Sequence, residues 1–247
     1  MKLRKKFLFS VFAAAVLLGG CAQIPPGAGQ NPADPWESLN RNTAAFNDVA
    51  DRYVMEPVAR SYRAVVPEPV REGVSNVLSN LTEPRNLINN VLQGNVEGAF
   101  ASLYRLVVNT IFGIGGIFDV AGSVAGVAEH RQDFGTTLGR WGVPSGPYLV
   151  LPFLGPSSVR DAPGYVADWA AHPVTYVNDA GVQWGVTGIR AVDVRTELLP
   201  MTDTLRGAVD PYVMMREAYF GNRRKVLGQD SSEDFAVDEF EDEEDGQ

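Results

Sequence analysis

The chain has 247 residues with 21 basic and 30 acidic side chains, a formal charge of −9 and a single cysteine. One cysteine excludes an internal disulfide, and an acidic balance without a basic patch argues against nucleic acid as a partner. Ten acids and no base fall between Asp230 and Gln247, so the body of the chain is nearly neutral. Its size suits one domain with a sizeable core.

The N-terminus reads as a secretory signal over residues 1–20. Lys2, Arg4, Lys5 and Lys6 precede an apolar run from Phe7 to Leu18, and Leu18-Gly19-Gly20-Cys21 follows. That last segment resembles a bacterial lipobox, which makes Cys21 the expected lipidation site. The other reading, an ordinary secreted protein, leaves a free thiol in an oxidising compartment. One acyl chain binds a bilayer only marginally, and several hold it for practical purposes permanently. Ala22 stands where Asp would mark retention at the inner membrane, so by resemblance to sorted lipoproteins the destination is the outer membrane. Residues 21–33, with Pro25, Pro26, Gly27, Gly29 and Pro32, read as the lipidated N-terminus and a flexible tether.

Residues 34–228 form the predicted domain. Asp34 is the expected cap of a first helix, with Pro35 at its first position and Glu37 at its third. Trp36, Leu39, Thr43, Phe46, Val49, Ala50 and Tyr53 keep helical spacing, and the helix is expected to end near Pro57. Short helices follow, punctuated by Pro57, Pro67, Pro69 and Pro84. Gly94 ends this stretch and Asn95 caps the next helix. Residues 106–118 are mainly apolar but too short to span a bilayer, which takes about 20 residues. They are either a buried core helix or a segment lying in a membrane without crossing it.

The stretch from Phe134 to Gly164 is dense in glycine and proline around Tyr148-Leu149-Val150-Leu151-Pro152-Phe153-Leu154. It reads as a long apolar loop, a hazard on a soluble protein and expected on a membrane-embedded one. Helical signals return at 164–177 and 188–199. The last helix is clear, with Asp210 as cap, Pro211 first, Arg223, Arg224 and Lys225 in the final turn, and Gly228 beyond. No strand ladder is predicted. The fold class is all-α: a single membrane-embedded helical domain carrying the Gly/Pro-rich loop. Residues 229–247 are expected to be an acidic disordered tail, periplasmic in setting.

Catalytic chemistry is hard to find. His130 and His172 sit in no paired-histidine pattern, and no metal or cofactor is expected. No serine lies in G-x-S-x-G. Ser157, His130 and Asp161 are the nearest approach to a triad, and Gly113, Gly115 and Gly116 do not complete a dinucleotide-binding loop. Gly122-Ser123-Val124-Ala125-Gly126 fits close helix packing. The chain is therefore not expected to be an enzyme.

The motifs together resemble the MlaA (VacJ) lipoproteins. Asp34-Pro35-Trp36-Glu37, Asn40-Arg41, Phe46-Asn47, Pro57-Val58-Ala59, Asn80-Leu81 with Glu83-Pro84, and Leu92-Gln93-Gly94 carry the first part. Asn109-Thr110, Asp119-Val120-Ala121, Asp133-Phe134-Gly135, Gly146-Pro147-Tyr148, Arg160-Asp161, Asp210-Pro211-Tyr212 and Arg216-Glu217-Ala218-Tyr219 carry the rest. Thr43-Ala44-Ala45 departs from the bulkier apolar pair usual in the family.

The resemblance implies a ring-like helical body in the outer membrane beside a porin trimer. It implies an amphipathic channel that removes misplaced phospholipid from the outer leaflet and passes it to a soluble periplasmic carrier. No covalent step is implied. Neutral polar groups suit such a path, since a bare charge in the bilayer core is costly. Asn40, Arg41, Asn47, Asn109 and Thr110 are the candidate lining. Each asparagine has a cap or turn role as its alternative, and Arg41 has an ion pair with Glu37. Asp133, Phe134, Gly135, Gly139, Gly142, Gly146, Pro147 and Tyr148 are the candidate gating loop. Two other readings are a porin-associated scaffold without transport and a lipid hydrolase using the Ser157 region.

Overall fold

The structure is a computed structural model and describes residues 24–229. Cys21, the signal and the acidic tail lie outside the described residues.

Helix α1 (Glu37–Ala50) does not begin on Asp34 as expected. Trp36 stands at its N-cap without a side-chain bond, and Asp34 is fully buried beneath the helix. Asp34 accepts from Asn40 Nδ2 at 2.8 Å, from the Tyr212 hydroxyl at 2.5 Å and from Arg216 at 3.2 Å. A carboxylate with a guanidinium partner that far along the chain is held by the fold and is unavailable as a cap. Nor does the helix end near Pro57. A five-residue π turn (Asp51–Met55) carries it into α2 (Glu56–Val65), where Pro57 sits in the first turn, the position that loses no hydrogen bond.

The predicted short helices are one helix of 25 residues, α3 (Glu68–Leu92), with Pro84 inside it. Gly94, at φ 68°, ends it, and the Asn95 side chain accepts from Gly98 N at 3.1 Å to start α4 (Val96–Ile111). Helix α5 (Val120–Ser123) is a single turn capped by Asp119.

The stretch read as one long loop is largely ordered. Asp133 caps α6 (Phe134–Arg140) in a reciprocal box with Thr136. Strands β1 (Tyr148–Leu151) and β2 (Gly155–Ser158) form an antiparallel hairpin with Tyr148 opposite Ser158. The fold is therefore helical with one small hairpin. Two backbone features make the hairpin: Gly155 at φ 79°, and Pro156, which sits in a two-stranded edge where its missing donor is tolerated.

Helices α7 (Gly164–Ala171), α8 (Ala180–Glu197), α9 (Leu199–Gly207) and α10 (Pro211–Leu227) complete the chain, with a 3-10 turn at Pro173–Tyr176. Asp210 caps α10 as expected, accepting from Tyr212 N and Val213 N, and Gly228 closes it in the left-handed region. Contacts run in a circuit: α1 on β1, β2 on α10, α10 on α9, α9 on α2, and the π turn back to α1. Helix α3 packs along α4 and touches α6, α7 and α8. The buried apolar cluster is small, with Tyr148, Val150 and Tyr212 ringed by Ala44, Val213, Tyr219 and Phe220.

Candidate functional site: a polar interior inside an apolar exterior

Burial in this molecule is inverted. Among the described residues six apolar side chains are buried, against 24 polar or charged ones. The outside carries Phe100, Phe112, Phe118, Trp169, Trp184 and Tyr53, each more than half exposed. Apolar area contributes about 25 cal/mol per Å² when removed from water, so this exterior calls for an apolar solvent. Residues 106–118 are part of it. Ile111, Phe112, Ile114 and Phe118 face outward, so the buried-core reading of that stretch does not hold. No helix among the described residues is long and apolar enough to cross a membrane.

Helix α3 shows how the sequence builds the inside. Asn76, Asn80, Glu83, Asn86, Asn90 and Gln93 recur every three or four residues and so share one face. Each of them makes a side-chain hydrogen bond. Asn76 reaches the Ile117 carbonyl, Asn80 the Thr110 hydroxyl, and Asn90 the His130 carbonyl. Beside this row, Asn89 accepts from the Thr137 hydroxyl and donates to Asp168. Gln93 donates to Gln132 and Thr137. Ile88, Val91 and Leu92 take the outward side. Amide groups that find partners this way escape the penalty of an unpaired buried polar group, about 1–3 kcal/mol each, while Asn80 Oδ1 and Gln93 Oε1 stay buried without a partner.

Several charged groups inside are paired. Arg105 meets Glu83 at 2.7 Å and Asp119 at 3.2 Å, and Asn109 ties the same Asp119 to the Ala121 amide. Arg223 joins Asp133 at 2.5 Å and Asp161 at 3.0 Å, and Asp161 also accepts from the Tyr219 hydroxyl. Glu56 takes Arg206 and Arg60, whose hydrogen bonds hold its carboxyl down at about 2.

The candidate lining groups fall into two sets. Asn40 is fully buried and clamps β1, donating to the Tyr148 carbonyl at 3.0 Å and accepting from Val150 N at 2.9 Å. Asn109 is 4 % exposed. Both are covered by the strand and the turn they hold, so neither has exposed surface to offer. Arg41 is spent on Glu37 at 2.8 Å and Asp210 at 2.6 Å, and lies 4.3 Å over the Tyr212 ring. Its hydrogen bonds hold the Asp210 carboxyl below its ordinary value. Asn47 holds the hairpin tip through Leu151 O and Phe153 N and stays half-buried. Thr110 accepts from Asn80 and is exposed.

The gating candidates are pinned at both ends. Asp133 is held by Arg223, Phe134 N donates to Asp168 at 3.0 Å, and Tyr148 N donates to the Ala33 carbonyl at 2.7 Å. Gly135 and Gly139 belong to α6, where neighbouring side chains approach the backbone closely. A Cβ would sit 2.5 Å from Asp161 Oδ1 at the first and 2.9 Å from Arg160 Nη1 at the second. Only the stretch from Trp141 to Pro147 lacks regular structure, and Gly142 and Gly146 there adopt φ of 88° and 66°.

No triad forms. The Ser157 hydroxyl is fully buried without a hydrogen-bond partner, and no group of three or more potential metal ligands occurs among the described residues. Sequence reasoning missed the inward row on α3. Its signal was present as asparagines at helical spacing.

The model of the family described as "MlaA lipoprotein" matches residues 32–226. The intermembrane phospholipid transport system lipoproteins MlaA of Shigella flexneri and of Escherichia coli K12 are each 41% identical over 227 residues, covering 89% of this chain and 87% of theirs. The protein of the same name from Haemophilus influenzae is 35% identical, covering 89% and 90%. A solved structure reported as "Structural basis for maintenance of bacterial outer membrane lipid asymmetry" superposes with a TM-score of 0.70 at 37% identity, over 78% of this chain and 98% of that one.

Proposed function

The chain belongs to the MlaA lipoprotein family, and on that premise we propose that it removes phospholipid misplaced in the outer leaflet of an outer membrane. It passes that lipid to a soluble periplasmic carrier and so maintains lipid asymmetry. Cys21 carries the acyl anchor, and a porin trimer sits beside the embedded domain. The observation that carries this reading is the inverted burial. A lipid has a charged head and apolar tails, and moving it out of a leaflet takes a polar path with an apolar surround. Asparagine and threonine amides and hydroxyls supply the first, and the exposed aromatic and aliphatic side chains supply the second. Thr110 and Asn47 are the parts of the proposed lining that keep exposed surface. Access is governed by the segment from Asp133 to Tyr148, hinging between Trp141 and Pro147.

The test is leaflet asymmetry in a deletion strain, complemented with wild type and with Cys21→Ala. Surface phospholipid rises on deletion and returns to normal only with the lipidated chain. Unchanged surface phospholipid on deletion sinks the reading.

A further inference from the structure

The interior holds two arginines that form no ion pair among the described residues. Arg41, Arg105, Arg160, Arg195, Arg216 and Arg223 each have an acidic partner within 3.2 Å. Among the described residues Arg85 on α3 and Arg190 on α8 form no ion pair, although both are half-buried. The polar partner of Arg190 is another nitrogen, His172 Nε2 at 3.3 Å. Among the described residues Arg85 donates to Asn86 Oδ1 at 3.4 Å, and its Nε is a buried donor without a partner. Helix α3, the 3-10 turn after His172, and α8 all touch one another, so three separate elements bring these groups together.

Burying cations side by side is unfavourable unless counter-charge is supplied. Burial, then Arg85 and Arg131, lower the Arg190 pKa from its ordinary value. Burial, then Arg190 and Arg85, hold His172 down at about 4, so its imidazole is neutral at physiological pH. The acids in range are Asp168 and Glu129. Glu129 is taken by Arg131 at 2.9 Å, and Asp168 accepts from Phe134 N and Asn89. Two arginines against one remaining carboxylate leave a single positive charge.

We propose that Arg85, Arg190 and His172 form an anion subsite for a singly charged phosphodiester, the head-group phosphate of a glycerophospholipid on its way through the domain. The assignment rests on the transport reading and deepens it. A guanidinium fork matches two phosphate oxygens at once. One net charge suits a diester better than a doubly charged free phosphate.

The full-length protein in neutral detergent is titrated calorimetrically with dihexanoyl phosphatidylglycerol, with dihexanoylglycerol and with inorganic phosphate. Arg85→Gln and Arg190→Gln each weaken the phospholipid by about tenfold or more and leave dihexanoylglycerol unchanged, while Arg190→Lys recovers part of the loss. Circular dichroism checks that each variant is folded. Phospholipid affinity equal to wild type in the folded double variant Arg85→Gln/Arg190→Gln overturns the subsite. Inorganic phosphate binding as tightly as the phospholipid overturns the head-group assignment. Either result leaves the transport reading standing, since that falls only with unchanged leaflet asymmetry on deletion.

Discussion

At the scale of the residue, the polar side chains inside this protein do the work that leucines do in a soluble one. Asn40 is the clearest case, with three bonds that tie α1 to β1 and to Asp34. Asn40→Ala strands the Val150 amide and the Tyr148 carbonyl and is expected to cost about 2–3 kcal/mol, read as a lower unfolding midpoint in detergent. Asn40→Asp does no better than alanine, because it sets a second carboxylate against Asp34. Arg105→Met leaves Glu83 buried and unpaired and is expected to cost about 3–5 kcal/mol. Glu56 gives an acid signature. Its folded pKa of about 2 lies below the ordinary 4.5, so its contribution is complete above pH 4.5 and is lost as pH falls towards 2. Glu56→Gln is therefore less stable than wild type at neutral pH, and the two melting curves converge as pH approaches 2.

At the scale of the element, the π turn between α1 and α2 sets a register. Asp51 binds Arg195 at 2.6 Å and Glu56 binds Arg206 at 2.5 Å, so both ends of the turn are held against α8 and α9. Deleting the exposed Val54 restores α geometry and rotates everything after it by about 100° relative to α1. One of the two ion pairs then breaks, and the thermal midpoint falls by more than any single surface substitution produces. Locking Trp141–Pro147 to a neighbouring helix by a crosslink is expected to raise surface phospholipid in cells. Normal asymmetry with the locked segment refutes the gate. The helices were legible because the 3.6 spacing and the caps at Asn95 and Asp210 are local. The α6–β1–β2 stretch was not. Gly135 and Gly139 read as freedom in the sequence, and they are places where Asp161 and Arg160 come too close for a side chain. Asp34 misled for the same reason, since its partners Tyr212 and Arg216 lie at the far end of the chain.

At the scale of the whole molecule, periodicity identified amphipathic helices but carried no sign. An apolar stripe on a helix predicts a face, and whether that face is inside or outside depends on the solvent. The asparagine spacing on α3 held the answer, because a row of amides at every third or fourth residue has to find partners. The exterior makes a direct prediction. A Cys21→Ser chain without its signal, and so without acyl groups, partitions into the detergent phase on cloud-point separation of a nonionic detergent. Recovery in the aqueous phase contradicts the embedded reading.

The outward-facing phenylalanines and tryptophans also set the order of events in biogenesis. Water separates the site of synthesis from the outer membrane, and hydrophobic collapse in water drives these side chains inward, against the native arrangement. On the embedded reading, the native packing is favoured only where acyl chains replace water around this exterior. The expected outcome is that the chain refolds to native near-ultraviolet circular dichroism in phospholipid vesicles or detergent and not in buffer alone; equal refolding in buffer contradicts it.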